Sequence, residues 1–208
     1  MRKFLARPSP DYCLLVRSLI SGAKFDSSML FFNKGRDALV YGLKLLDIFP
    51  GTTILVPAYM CDSTIKPLRL YGYKILFIDV QEDFNFDLNL VDAMIKEFNV
   101  QAILAVHFFG FPSKIQHLVE LCNTHKVKVI EDCSHSFLTS IEGEPVGSFG
   151  HVAIFSMRKT LPVYDGGALR INEPIEYEIQ NKSGNNSLGS EIAYLISRLL
   201  ESSVSLIG

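Results

Sequence analysis

The stretch "AILAVHFFGFPSKIQHLVELCNTHKVKVIED" (residues 102–132) contains two short apolar runs separated by a helical pattern. The runs 102–108 and 128–132 are continuous rather than alternating, which is typical of strands that are covered on both faces. Between them a helix is predicted over 113–125, because four apolar side chains follow i, i+3, i+4, i+7 spacing: Ile115, Leu118, Val119 and Cys122. This strand–helix–strand unit predicts parallel strands joined by a right-handed crossover.

The same alternation continues on the N-terminal and C-terminal sides of this unit. Further strands are predicted at 53–57, 74–80 and 151–156, and further helices at about 36–48, 63–71 and 88–98. The predicted fold class is therefore α/β, with a mostly parallel sheet flanked by helices. The order of the strands in the sheet does not follow from this pattern.

Composition narrows the class of protein. The 208 residues are 48% hydrophobic and 20% charged, as in an ordinary globular protein with a buried core. The formal net charge of −2 argues against nucleic-acid binding, and no apolar run reaches the roughly 20 residues of a membrane span. No signal peptide is evident, so a cytoplasmic protein is expected. The four scattered cysteines (Cys13, Cys61, Cys122 and Cys133) indicate reduced thiols rather than disulfides or a metal site.

The chain divides into three predicted parts. Residues 1–32 form an N-terminal segment, 33–172 the large domain, and 173–208 a linker and a C-terminal helix. The linker is polar and rich in Asn, Ser and Gly, whereas 191–207 places several apolar residues on one helical face. That face could pack on the large domain, on another subunit, or on a domain that this chain does not contain.

Polar residues follow the predicted strands at the point where each strand ends. They are Asp79, His107, Glu131, Asp132, Ser156 and Lys159. Ligands of open α/β sheets bind beyond the carboxyl ends of the strands, so these side chains are expected to line a crevice. For Asp79 and Glu131 taken singly, a simple polar strand end is an equally good interpretation.

The segment "FSMRKTLPVYDGGAL" (155–169) places Lys159 between a strand end and a double glycine. A lysine becomes nucleophilic when burial or a neighbouring cation, here Arg158, favours the loss of its proton. A site for pyridoxal phosphate needs such a lysine together with an acidic partner for the ring nitrogen, for which Asp132 is the candidate. The alternative interpretation of Lys159 is a surface lysine.

A phosphate also needs an anion site, and "NKGRDAL" (33–39) has the required features. Gly35 lets the backbone approach a ligand closely, and the helix that begins here points N–H groups at it. Helix capping by Asp37 is the alternative interpretation of this stretch.

Six segments, taken in order over 33–171, resemble the DegT/DnrJ/EryC1/StrS family of sugar aminotransferases, which are fold-type I pyridoxal phosphate enzymes. They are "GRDAL" (35–39), "FPGTTILVPAY" (49–59), "AVHFFGFP" (105–112), "VIEDCSHSF" (129–137), "VGSFGHVAIFS" (146–156) and "KTLPVYDGGAL" (159–169). Many relatives have an aromatic residue that stacks on the cofactor just after the second segment, where this chain has Met60 and Cys61.

The resemblance implies a role for each matching residue. Lys159 would bind the cofactor covalently and move the proton, and Asp132 would pair with the ring nitrogen. His135 would lie near the ring hydroxyl. Ser156, Gly35 and Arg36 would bind the phosphate. The resemblance also implies a homodimer, an amino-acid donor and a keto sugar that is nucleotide-linked, and the small C-terminal domain of relatives is expected to be absent.

Three other functions remain open at this point. A sugar dehydratase of the same family has histidine in place of the lysine, so Lys159 argues against it. A catalytically incomplete or regulatory member, or an inactive fragment, would share the fold without the activity. An unrelated doubly wound protein would carry Lys159 as an ordinary surface residue.

Overall fold

The computed structural model describes residues 29–160 and 165–174, so most of the predicted tail 173–208 and residues 1–28 lie outside the described residues. Nine strands are described: β1 (Met29–Phe32), β2 (Thr53–Pro57), β3 (Lys74–Ile78), β4 (Val100–Val106), β5 (Lys128–Asp132), β6 (Ser140–Ile141), β7 (Glu144–Pro145), β8 (Val152–Ser156) and β9 (Gly167–Ile171). The α-helices are α1 (Gly35–Leu45), α2 (Asp62–Leu70), α3 (Leu88–Phe98) and α4 (Ile115–Thr124). The strands and helices predicted between residues 36 and 156 are thus present, with boundaries shifted by three residues at most, whereas the helix predicted at 191–207 lies outside the described residues.

Seven strands form one sheet in the order β1-β9-β8-β5-β4-β2-β3, and β6 pairs with β7 in a small hairpin. Five neighbouring strands of this sheet, β8, β5, β4, β2 and β3, run parallel, which confirms the predicted α/β class. The sequence did not predict β9, which is antiparallel to both β8 and β1. It also did not predict β1, which lies within the segment 1–32 that was set apart as N-terminal.

The core lies on both faces of the sheet. Helices α1 and α2 cover one face, through a cluster that includes Leu39, Leu43 and Ile65. Helices α3 and α4 cover the other face, where Val91 and Ile115 are fully buried. Neighbouring strand residues point to opposite faces, so a strand that is covered twice needs apolar side chains at successive positions.

A membrane span would require a long apolar helix. None of the helices within residues 29–160 and 165–174 has the necessary length and apolar character.

The fully buried carboxylate of Glu131 joins three parts of the structure. Its Oε2 accepts hydrogen bonds from His107 Nε2 and Gly147 N, both at 2.9 Å. Its Oε1 accepts from Phe149 N at 2.8 Å and from Gly150 N at 2.5 Å. The end of β4 and the loop before β8 are thereby attached to β5.

These hydrogen bonds decide the ionisation of Glu131. Burial by itself would raise the pKa of Glu131, but the hydrogen bonds from His107 and the backbone outweigh it and lower the pKa. The buried charge is therefore stabilised by donors on every side rather than left unpaired.

We expect Glu131→Gln to lower the free energy of unfolding by about 1–3 kcal/mol, because the amide N–H₂ faces backbone donors that then lack an acceptor. A folded-state pKa below the unfolded value of 4.5 means that the carboxylate contributes its full stability above that pH. The contribution disappears as pH falls through the lowered pKa. Urea unfolding at pH 7 and at pH 3 measures both effects.

The matched control is Glu120→Gln, an exposed position on α4. Equal stability losses for the two variants at pH 7, or a gap that widens as the pH falls, would contradict this role of Glu131.

Gly167 and Gly42 are both buried against neighbouring elements, but we expect alanine at the two positions to change the stability of the protein by different amounts. A Cβ on Gly167 would overlap the backbone of Lys34 and Gly35 at the start of α1, whereas a Cβ on Gly42 would lie 2.9 Å from Leu169 Cδ1. The backbone cannot move away from an added methyl group, whereas a leucine side chain can adjust. We therefore expect Gly167→Ala to lower the free energy of unfolding by about 1–3 kcal/mol. Gly42→Ala should lower the free energy of unfolding by a smaller amount, because alanine is about 1 kcal/mol more favourable than glycine inside a helix. Thermal unfolding of both variants checks the order, and a reversed order would refute it.

Candidate active site

A cavity of about 750 Å³ opens at the carboxyl edge of the sheet, beside the N-termini of α1 and α2. The six residues to which the family resemblance assigned a role all line it: Gly35, Arg36, Asp132, His135, Ser156 and Lys159. They come from separate segments of the chain, and the topology brings them together because parallel strands end at the same edge.

Lys159 is the last residue of a short 3₁₀ turn, Met157–Lys159, directly after β8. Its Nζ is 2.9 Å from His135 Nε2. When Lys159 carries its proton it can only donate, and Nε2 is then the acceptor while His135 carries its own proton on Nδ1. Partial burial, and then the charge of Lys159, lower the pKa of His135, while Asp132 acts in the opposite direction. His135 is therefore neutral at pH 7.

The acidic side of the cavity is Asp132, which is 6% exposed at the end of β5. Its Oδ1 accepts a hydrogen bond from Ser134 N at 2.9 Å. Its backbone oxygen accepts from His107 N at 3.2 Å, which continues the pairing of β4 with β5. A carboxylate held in this way can accept a hydrogen bond from a protonated ring nitrogen in the cavity.

The third feature is an anion corner, formed by the first residues of α1 and by Ser156. No side chain of the described residues caps α1, whose N-cap residue Lys34 is extended, so the first amides of the helix face the cavity edge. A Cβ on Gly35 would lie 3.2 Å from Phe155 O and 3.7 Å from Ser156 Cβ. The helix start thus packs closely on the end of β8, and its N–H groups and dipole favour a phosphate.

Charged side chains surround this corner. Asp165 Oδ2 lies 3.8 Å from Lys34 Nζ, and its Oδ1 lies 3.9 Å from Arg158 Nε. Lys34 and Arg158 both line the cavity, so their positive charges lie close to it. Asp165 is the acidic residue that precedes the double glycine in the sequence.

Three predicted crevice residues do not line the cavity. His107 and Glu131 pair with each other inside the protein, and Asp79 follows the exposed edge strand β3. The expectation that every polar strand end faces the crevice is therefore wrong for these three. Successive residues of a strand point in opposite directions, so only one residue of the pair Glu131–Asp132 can face the cavity.

Residues that the sequence analysis did not select also line the cavity, among them Tyr59, Cys61, Phe109 and Ser134. Cys61 is the N-cap residue of α2, and its Sγ lies 2.9 Å from Ser63 Oγ. Burial opposes ionisation of this thiol, but hydrogen bonds from Ser63 and Thr64 and the charge of Lys159 lower its pKa. The unusual "MC" after "VPAY" was the sequence signal for this position. Phe109 lies within the family-like segment "AVHFFGFP" (105–112), but no role for it followed from the sequence.

A family model described as the DegT/DnrJ/EryC1/StrS aminotransferase family matches residues 26–190. A UDP-N-acetyl-3-dehydro-alpha-D-glucosamine 3-aminotransferase from Acidithiobacillus ferrooxidans is 31% identical over 147 residues, which are 69% of this chain and 40% of the relative. A GDP-perosamine synthase from Escherichia coli O157:H7 is 29% identical over 149 residues, 70% of this chain and 41% of the relative. The chain thus spans about two fifths of the length of these curated relatives.

The fold agrees with solved structures. An aminotransferase from Psychrobacter cryohalolentis superposes with a TM-score of 0.68 at 23% identity, over 82% of this chain and 50% of that one. Pyridoxal phosphate is the cofactor of the family, as the sequence motifs predicted. The family match covers most of the sequence and includes every strand and helix described above. The chain belongs to the DegT/DnrJ/EryC1/StrS aminotransferase family.

Proposed function

We propose that this protein is a pyridoxal phosphate-dependent aminotransferase that transfers an amino group from an amino acid to a nucleotide-linked keto sugar. One observation carries the proposal: the Lys159 amine, the Asp132 carboxylate and the anion corner at Gly35 border the same cavity. These are the three groups that a site for this cofactor requires. The relatives support the sugar substrate, since their names refer to a UDP-linked sugar and to GDP-perosamine.

The donor set of the cavity fits the cofactor. The amides that begin α1, with Ser156, would hold the phosphate, and Asp132 would hold the ring nitrogen. His135 would lie beside the ring hydroxyl, at the same side as the Lys159 amine. The volume of about 750 Å³ leaves room for a substrate next to the cofactor.

Bound pyridoxal phosphate would supply an electron sink for the substrate carbon that loses its proton. The chain's own groups perform the remaining tasks. Asp132 keeps the ring nitrogen protonated, because a charged acceptor strengthens that hydrogen bond. In its neutral form, the Lys159 Nζ would take the proton from the substrate carbon and hold it for return in the second half of the transfer. His135 Nε2 holds that amine at a fixed place, and the apolar side chains of Leu39, Val106 and Ile154 limit access of water.

We further propose that the protein is a cytoplasmic homodimer. The three described cysteines, Cys61, Cys122 and Cys133, are free thiols, as is usual in a reducing compartment. Two exposed aromatic side chains at the cavity, Tyr59 and Phe109, provide apolar surface that a second subunit would cover. Light scattering after size-exclusion chromatography should give twice the mass of the 23.3 kDa chain, and a monomer at micromolar concentration would contradict the dimer.

Borohydride reduction of the protein mixed with pyridoxal phosphate tests the cofactor site. We expect one covalent adduct at Lys159, because the reduction traps the carbon–nitrogen bond between amine and aldehyde. Mass spectrometry of peptides locates the adduct. The Lys159→Arg variant serves as the matched control and should remain unlabelled at this position. Labelling that is spread over surface lysines, and is unchanged in the variant, would refute the assignment.

Addition of amino acids tests the activity itself. An amino donor should convert the bound cofactor to its pyridoxamine form, which absorbs at a shorter wavelength, and Asp132→Asn should slow the conversion at least about 100-fold. A protein that is labelled at Lys159 but converts no cofactor with any donor would instead be a catalytically incomplete or regulatory member of the family, or an inactive fragment.

A further inference from the structure

Phe109 has an unusual backbone for an aromatic residue. It lies within the 3₁₀ turn Phe108–Gly110 that follows β4, with φ 55° and ψ 19°, and its side chain is 55% exposed. Left-handed backbone is unfavourable for a bulky side chain, because the Cβ crowds the neighbouring peptide groups. Such a conformation persists only where the surrounding structure holds it in place, and it is frequently associated with a functional site.

An aromatic cluster supports this conformation. It consists of Tyr59, Phe84, Phe108 and Phe109, with ring centroids of Phe109 at 6.2 Å from Tyr59, 5.4 Å from Phe84 and 6.3 Å from Phe108. The ring of Phe84 meets that of Phe109 edge-on, at 70°. Phe84 also has left-handed backbone, with φ 61°. Two strained residues thus contact each other, and the ring–ring interactions of the cluster offset part of the strain.

The opposite side of Phe109 meets the candidate active site. Its ring is stacked on the imidazole of His135, with 13° between the planes and 6.2 Å between the centroids. The edge of the same imidazole meets Lys159, whose Nζ lies 2.9 Å from Nε2. Phe109, His135 and Lys159 therefore form a continuous series of contacts from the aromatic cluster to the amine.

Backbone contacts attach the turn to the segment that carries His135. Thr139 Oγ1 donates a hydrogen bond to Gly110 O at 3.0 Å. A Cβ on Gly110 would lie 3.4 Å from His135 O, so the two backbones are already in close contact. Phe109 is thus held in a fixed position relative to His135, which a freely moving surface phenylalanine would not be.

We propose that Phe109 is a positioning residue, whose ring fixes the plane of the His135 imidazole so that Nε2 faces the Lys159 amine. The near-parallel, offset ring beside the imidazole limits its rotation out of that plane and shields part of it from water. His135 then remains a hydrogen-bond acceptor for Lys159, and the amine is held at one side of the cavity. The proposal deepens the proposed function, because Lys159 is the amine on which that function rests.

The charges around His135 allow a test that needs no cofactor. Lys159 and Asp132 are the ionisable groups that act on the imidazole, with opposite effects on its pKa. Partial burial is the largest cause of the lowered pKa of His135. Loss of the Phe109 ring would admit water to the imidazole face, so the pKa should rise toward its ordinary value of about 6.5.

The experiment is an NMR titration of the histidine side chains in the full chain without cofactor, with His135 assigned through a His135→Gln variant. Phe109→Leu, which keeps an apolar side chain but removes the ring, should raise the pKa of His135 and alter its tautomer signature. Phe109→Tyr should restore the wild-type values. Phe111→Leu is the control, because Phe111 is 71% exposed and lies two positions further along the same segment.

A second variant keeps the test decisive if Phe109→Leu does not fold. Phe84→Leu removes support for Phe109 without touching His135 directly, and it should shift the pKa of His135 in the same direction by a smaller amount. Unchanged pKa and tautomer of His135 in every folded variant would overturn the proposal. Because the titration uses no cofactor, its outcome is independent of whether Lys159 is labelled in the borohydride experiment.

Discussion

The hydrogen bonding of the buried Glu131 carboxylate is the interaction on which the carboxyl edge of the sheet depends. A buried charge without partners would be too unfavourable to persist, and here the partners are N–H groups from His107, Gly147, Phe149 and Gly150. Each of those donors belongs to a segment that borders β5. Satisfying one carboxylate therefore sets the position of the end of β4 and of the entry to β8 relative to the end of β5.

Adjacent residues at the end of β5 have separate roles because a strand alternates its two sides. Glu131 points into the protein and stabilises it, whereas Asp132 borders the cavity and is available to a ligand. The two histidines near this edge differ in the same way. His107 is fully buried and bound to Glu131, while His135 faces the cavity and accepts a hydrogen bond from Lys159.

The aromatic cluster shows how local strain is maintained next to this site. Phe84 and Phe109 both adopt left-handed backbone, which their side chains disfavour, and they contact each other and Phe108. Departures from local sequence preference are expected at functional sites, where tertiary contacts outweigh them. Phe109 also stacks on His135, the residue whose Nε2 lies 2.9 Å from the Lys159 amine, so this departure lies directly beside the candidate active site.

The sequence by itself determined the α/β class, the strand–helix alternation, the family, and six of the residues that line the cavity. These features depend on local periodicity and on short motifs that can be recognised in the amino-acid sequence alone. Only the tertiary structure decided the strand order, the antiparallel β9 and β1, the inward direction of Glu131 and the place of Phe109 against His135. Those features arise from pairing between distant segments and from the register that turns each side chain to one face or the other, which no local pattern encodes.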